Sequence, residues 1–165
     1  MVSKPRPQLT HIGPDGRARM VDIGDKTDTE RTAHARGRIS MGSDAFAMAT
    51  SGGGKKGDPL AVSELAAIMG AKRTADLIPL CHPLPLTSVK VEIVPDPTAT
   101  ALIVDVRVKT LGKTGVEMEA LTAASVACLT LYDMLKAVDK AMTIGPVALV
   151  EKTGGSSGDY RQDTS

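Results

Sequence analysis

The chain has 165 residues, 42% hydrophobic and 24% charged, a composition that fits one globular domain and excludes a disordered or collagen-like chain. Phe46, Tyr132 and Tyr160 are its aromatic residues and tryptophan is absent, so the core must be aliphatic and few faces exist on which single-stranded bases could stack. A formal net charge of +1 supplies no overall field for a polyanionic duplex, and nucleic acid is not an expected partner.

Residues 1–8 are basic and Pro-rich, and 153–165 (TGGSSGDYRQDTS) are small and polar. Both are expected to be flexible ends around a single domain over 9–152. The opening MVSKPRPQLTHIGPDG carries no apolar run, and nowhere do 18 apolar residues run together, so neither a targeting segment nor a membrane partner is expected. From Thr32 to Met41, apolar Ala33, Ala35, Ile39 and Met41 alternate with His34, Arg36, Arg38 and Ser40, which predicts a half-buried strand. Ser43 reads as the N-cap of a short helix over 44–50 that runs out at Gly52-Gly53-Gly54. Asp58-Pro59 supplies a cap and a first-turn proline for a second helix to about Arg73.

Two alternating segments, 88–94 and 100–110, flank the turn residues PDPTA and predict a hairpin. Residues 117–139 hold neither Gly nor Pro and predict a long helix. Residues 142–151 are β-branched and apolar around Gly145-Pro146 and predict an edge strand. The order strand, helices, strand, strand, helix, strand predicts an α+β, ferredoxin-like β-α-β-β-α-β two-layer sandwich with an antiparallel sheet.

The long helix carries one apolar stripe, Met118, Leu121, Ala124, Cys128, Leu131, Leu135 and Val138, for its own sheet. Yet Ala120 to Tyr132 holds no charge on any face, and a two-layer fold offers no third layer, so Val126 and Leu129 on the opposite side predict a subunit interface. Asp133 and Lys136 are one turn apart, spaced for an ion pair on a solvated turn or for a proton-transfer pair at that interface. Glu119 lies 14 residues earlier, about 21 Å along the axis at 1.5 Å per residue, so a site using both carboxylates must be extended or built from two chains.

The local motifs are weak one at a time. GGGKKG follows a helical segment and lacks the strand that a dinucleotide fingerprint requires; it is not a phosphate-binding P-loop either, because Gly57 follows Lys56. Two cysteines and three histidines are scattered, and the adjacent Cys81 and His82 are awkward ligands for one tetrahedral ion, so no metal site is expected. As chain neighbours these two also make a poor nucleophile and base. Free cysteines fit a reducing, cytoplasmic location.

Taken together the motifs are specific. LTHI with MVDIGDK, KGDPLAV, AKRTADLIPLCHPLPL, KTGVEMEALTAASVA with LYDMLKAVDK, and IGPVALVEKTGG resemble the molybdenum cofactor biosynthesis protein C family, the cyclic pyranopterin monophosphate synthases. The resemblance covers about Leu9 to Asp159. It implies a lyase that converts a cyclic dihydroguanosine triphosphate to cyclic pyranopterin monophosphate and pyrophosphate. It also implies a homohexamer of three dimers with sites at the dimer interface. By position in the motifs, Asp133, Lys56 and Lys136 resemble the family's catalytic residues. Leu80, Cys81, His82, Met118 and Glu119 match substrate-contacting residues, and Arg31 matches a phosphate-binding arginine. No resident cofactor is implied, although magnesium could arrive with the triphosphate. The chain departs from the family at the glycine-rich stretch 50–55 and at Ser156, where a lysine is frequent. The alternative is a non-catalytic ligand-sensing module of ferredoxin-like fold, which would not require Lys56, His82, Asp133 and Lys136 together.

Overall fold

The computed structural model describes residues 11–52, 57–156 and 158–163; the expectations for Lys56, for Gly53-Gly54 and for residues 1–8 lie outside the described residues. Strand β1 is Thr29–Ser40, three residues longer at its start than its alternation suggested. Helix α1 is Ser43–Thr50. Ser43 is its first residue and not its cap: Gly42 holds that position, and its N–H donates to Asp139 Oδ2 at 2.8 Å, a partner from a distant part of the chain. Helix α2, Pro59–Lys72, starts as expected, with Asp58 Oδ1 accepting from Leu60 N at 2.9 Å.

A single further turn, α3, Thr74–Leu77, was not legible. Thr74 Oγ1 donates to Gly70 O, tying it to the end of α2. Strands β2, Leu86–Asp96, and β3, Ala101–Gly112, form the hairpin. Helix α4 is Glu117–Leu135. It ends four residues before the predicted Asp139, whose carboxylate instead accepts from Gly42 N and Ala141 N and so organises the turn that follows. Strand β4 is Thr143–Thr153, and β5, Tyr160–Arg161, is a short addition from the C-terminal tail.

The sheet order is β2-β3-β1-β4-β5 with every neighbouring pair antiparallel. Its first four strands have the order of the expected ferredoxin-like α+β sandwich. Strand β4 is an edge for only part of its length, because Glu151 and Lys152 pair with β5. Since β1 and β2 both oppose β3, α2 must run back between them; by the same reasoning α4 runs opposite to β3 and β4. The two helices are therefore antiparallel, and the chain enters α2 at the end of the layer where α4 finishes.

Close packing explains the alanine-rich helix. A Cβ at Gly37 would sit 3.0 Å from Cys128 Sγ and 3.3 Å from Ala124 O, so glycine on the central strand lets α4 approach the sheet directly. Ala120, Ala123, Ala124, Ala127, Cys128, Leu131 and Leu135 are fully buried with Val104, Val106 and Ile39. This corrects the expected stripe: Met118 and Val138 at its ends are exposed, and Leu121 is only partly buried. Val126 is partly covered, by α2 of the same chain, where a Cβ at Gly70 would lie 3.0 Å from Val126 Cβ. Part of the uncharged surface attributed to a subunit interface is thus intramolecular. Among the apolar side chains left exposed are Leu129 on α4 and Val62, Leu65 and Met69 at spacings of three and four on α2. Length and composition would let α4 cross a bilayer; its packing on the sheet and on α2 accounts for that apolarity.

Candidate active site

Two adjoining cavities lie where α4 begins. The larger, about 700 Å³, is walled by residues 78–84, by the start of α4 and by an arm of residues 11–26. After α3 the chain turns, with Cys81 N donating to Ile78 O at 3.1 Å, and this brings Leu80, Cys81 and His82 against Met118 and Glu119. Of the six residues expected to bind substrate, these five therefore share one cavity, and Arg31 lies outside it.

Glu119 is the buried charged member of the group, at 4% exposure. Burial pushes its carboxyl from 4.5 up to about 7; backbone hydrogen bonding opposes this, and the charge of Glu117 adds to the rise. Such a carboxyl holds and releases a proton near neutrality. The Cys81 thiol is raised by burial and then by Glu119, which keeps it protonated and unsuited to nucleophilic attack.

The smaller cavity, about 200 Å³, is cationic and is lined by Lys26, Arg31, Lys113 and Lys152 with Glu117. It shares Lys26, Thr114, Gly115 and Glu117 with the larger one, so the two form one elongated site. Arg31 is buried on β1, where its Nε donates to Gly112 O at 2.8 Å. The turn Gly154-Gly155, with φ of +84° and +87°, closes over it: a Cβ at Gly155 would land on Arg31 Nη1, and one at Gly154 on Glu30 O. Both glycines are required for left-handed backbone and for lack of room. Lys152 Nζ lies 3.5 Å from Glu117 Oε1. Lys26, Lys113 and Lys152 were missed from sequence. They sit within MVDIGDK, KTG and VEKTGG, but 26, 113 and 152 are too far apart in the chain for spacing to reveal their convergence.

Asp133 and Lys136 are elsewhere. They form an ion pair at 2.6 Å with both side chains more than half exposed, on the far end of α4. The step of 14 residues along continuous helix from Glu119 to Asp133 places them about 21 Å apart. Asp133 raises the Lys136 pKa, through its hydrogen bond and then its charge. A lysine lowered for proton transfer would need another cation or further desolvation. The chain thus carries two sets of predicted site residues at opposite ends of the helix layer. Among the described residues, no group of three or more His, Cys, Asp or Glu side chains converges as a metal centre.

A model of the MoaC family matches residues 20–155. The chain is 57% identical over 152 residues to a cyclic pyranopterin monophosphate synthase of Cereibacter sphaeroides strain KD131, covering 92% of this chain and 96% of the relative. It is 56% identical over 155 residues to one from Dinoroseobacter shibae, covering 94% and 98%. To one from Thermomicrobium roseum it is 54% identical over 156 residues, 94% of each chain.

Proposed function

The chain belongs to the MoaC family, and from that premise we propose that it is a lyase of molybdenum cofactor biosynthesis, converting (8S)-3',8-cyclo-7,8-dihydroguanosine 5'-triphosphate to cyclic pyranopterin monophosphate and pyrophosphate. The observation that carries this reading is the joined pair of cavities. One is largely apolar with a carboxyl that titrates near neutrality, and beside it lies a pocket with four cationic side chains. A purine-derived ring system fits the first in size and polarity, and a triphosphate fits the second in charge.

In this reading Leu80, Cys81, His82, Met118 and Glu119 hold the ring system, and Arg31 with Lys26, Lys113 and Lys152 holds the phosphates. A sugar hydroxyl attacks the α-phosphorus, giving its proton to a basic group of the site or to the departing pyrophosphate; its O–P bond forms, the bond to the bridging oxygen breaks, and the pair of electrons leaves with pyrophosphate, which the cations stabilise. Opening and reclosing of the dihydropurine rings needs groups that give and take protons, for which Glu119, Asp133, Lys56 and Lys136 are the candidates. No resident cofactor is invoked; any magnesium would enter with the triphosphate.

Because Glu119 and Asp133 sit about 21 Å apart on one helix, the reading takes the complete site to be shared by two chains. An antiparallel pairing of protomers through the exposed residues Leu65, Met69 and Leu129 would set the end of one α4 beside the start of its partner. Such dimers, three to a homohexamer, complete the proposal, with a cytoplasmic location supported by the free thiols Cys81 and Cys128. Anaerobic incubation with the cyclic triphosphate tests it directly: stoichiometric pyrophosphate and a pterin product are expected. Ligand binding without pyrophosphate release would favour the sensing module instead.

A further inference from the structure

Residues 11–26 form an arm outside the β-α-β-β-α-β body. Its bonds close on itself: Arg19 N donates to His11 O and Gly13 N to Arg17 O, both at 2.9 Å, and Ile12 bridges Ala18. Lys113 Nζ ties it to the body by donating to Gly24 O at 2.7 Å. Ile12 and Met20 are exposed, so core packing does not account for this hairpin. What the arm does contribute is a wall of the larger cavity, through His11, Val21 and Ile23.

We propose that His11 is a substrate-binding residue whose imidazole contacts the ring system held in the larger cavity, and that the arm serves to deliver it there. This inference rests on the function proposed above and adds a contact to it. Imidazole offers one donor, one acceptor and a flat face, which matches a guanine-derived ring with its N–H and C=O edges. His11 lines the larger cavity and is absent from the cationic one, whereas Lys26 lines both. His11 therefore senses the ring, and Lys26 the phosphates as well.

The test is steady-state pyrophosphate release by the full-length protein, His11→Ala and His11→Gln, with added inorganic pyrophosphate as product inhibitor and sedimentation to verify assembly. Loss of one hydrogen bond to a neutral group should raise KM roughly three- to tenfold in His11→Ala. The value of kcat should stay within about twofold. His11→Gln, which keeps a donor, should recover most of the loss, and pyrophosphate inhibition should be unchanged in both. An unaltered KM in His11→Ala overturns the proposal. So does a matching loss of pyrophosphate inhibition that Gln fails to rescue, which would make the arm a brace for the whole site. Wild-type protein that releases no pyrophosphate refutes the proposed function itself and this inference with it.

Discussion

Glu119→Gln should make the protein more stable and less active, and the stability gain should depend on pH in a defined direction. Folded Glu119 keeps its proton up to about pH 7, whereas its ordinary value is 4.5. Between those values the native state binds more protons than the unfolded chain, so this group makes stability fall as pH rises. Each pH unit between them is worth about 1.4 kcal/mol, about 3 kcal/mol for a carboxyl fully shielded from water. Solvent entering by the cavity mouth screens part of this, leaving roughly 1–2 kcal/mol. Glutamine has the same shape and no charge to bury. The stability difference, variant minus wild type, should therefore grow by roughly 1–2 kcal/mol between about pH 4.5 and about pH 8. Urea unfolding at fixed protein concentration across that range measures it, and titrating groups that are not coupled to Glu119 cancel in the difference. Pyrophosphate release should fall by about a hundredfold or more if Glu119 transfers a proton. A stability gap that is flat with pH, or that grows towards acid, would refute the assignment of a raised carboxyl.

Gly70→Ala should bring little gain or a loss in the wild-type background, because its Cβ meets Val126 at 3.0 Å. In a Val126→Ala background it should show the usual helix gain of about 1 kcal/mol, and a double-mutant cycle by thermal unfolding measures the coupling. Gly155→Ala should displace the Arg31 guanidinium and combine that with a strained backbone at φ +87°. The expected result is a raised KM for the triphosphate and roughly 1–3 kcal/mol lost in urea unfolding. If the proposed dimer shares its sites between chains, mixing inactive His82→Ala and Asp133→Ala proteins, with subunit exchange, should restore roughly a quarter of wild-type activity, since half of random dimers would be hybrids with one intact site each. No recovery after demonstrated exchange would place both residues in a site of one chain.

Much of this protein is decided by local chemistry that can be read along the chain. The alternation in β1, the Asp58-Pro59 start of α2, the PDPTA hairpin and the β-α-β-β-α-β order each depend on neighbours within a few residues, and each is found in the structure. The segment 80–82 and the pair Met118-Glu119 were likewise marked by motif, and they meet in one cavity. Other features depend on partners that spacing cannot reveal. Asp139 takes the Gly42 N–H across 97 positions, and so moves both the cap of α1 and the end of α4. Gly70 and Gly37 remove side chains at two contacts, so α4 sinks into its own chain and partly covers Val126, which its helical face alone assigned to a partner. The tail pairs with β4 because residues 160–161 find free strand edge beside Glu151 and Lys152. The cationic pocket draws Lys26, Arg31, Lys113 and Lys152 from four separate segments. Charge attracts phosphate only where such groups converge in space, and convergence is a property of the tertiary fold.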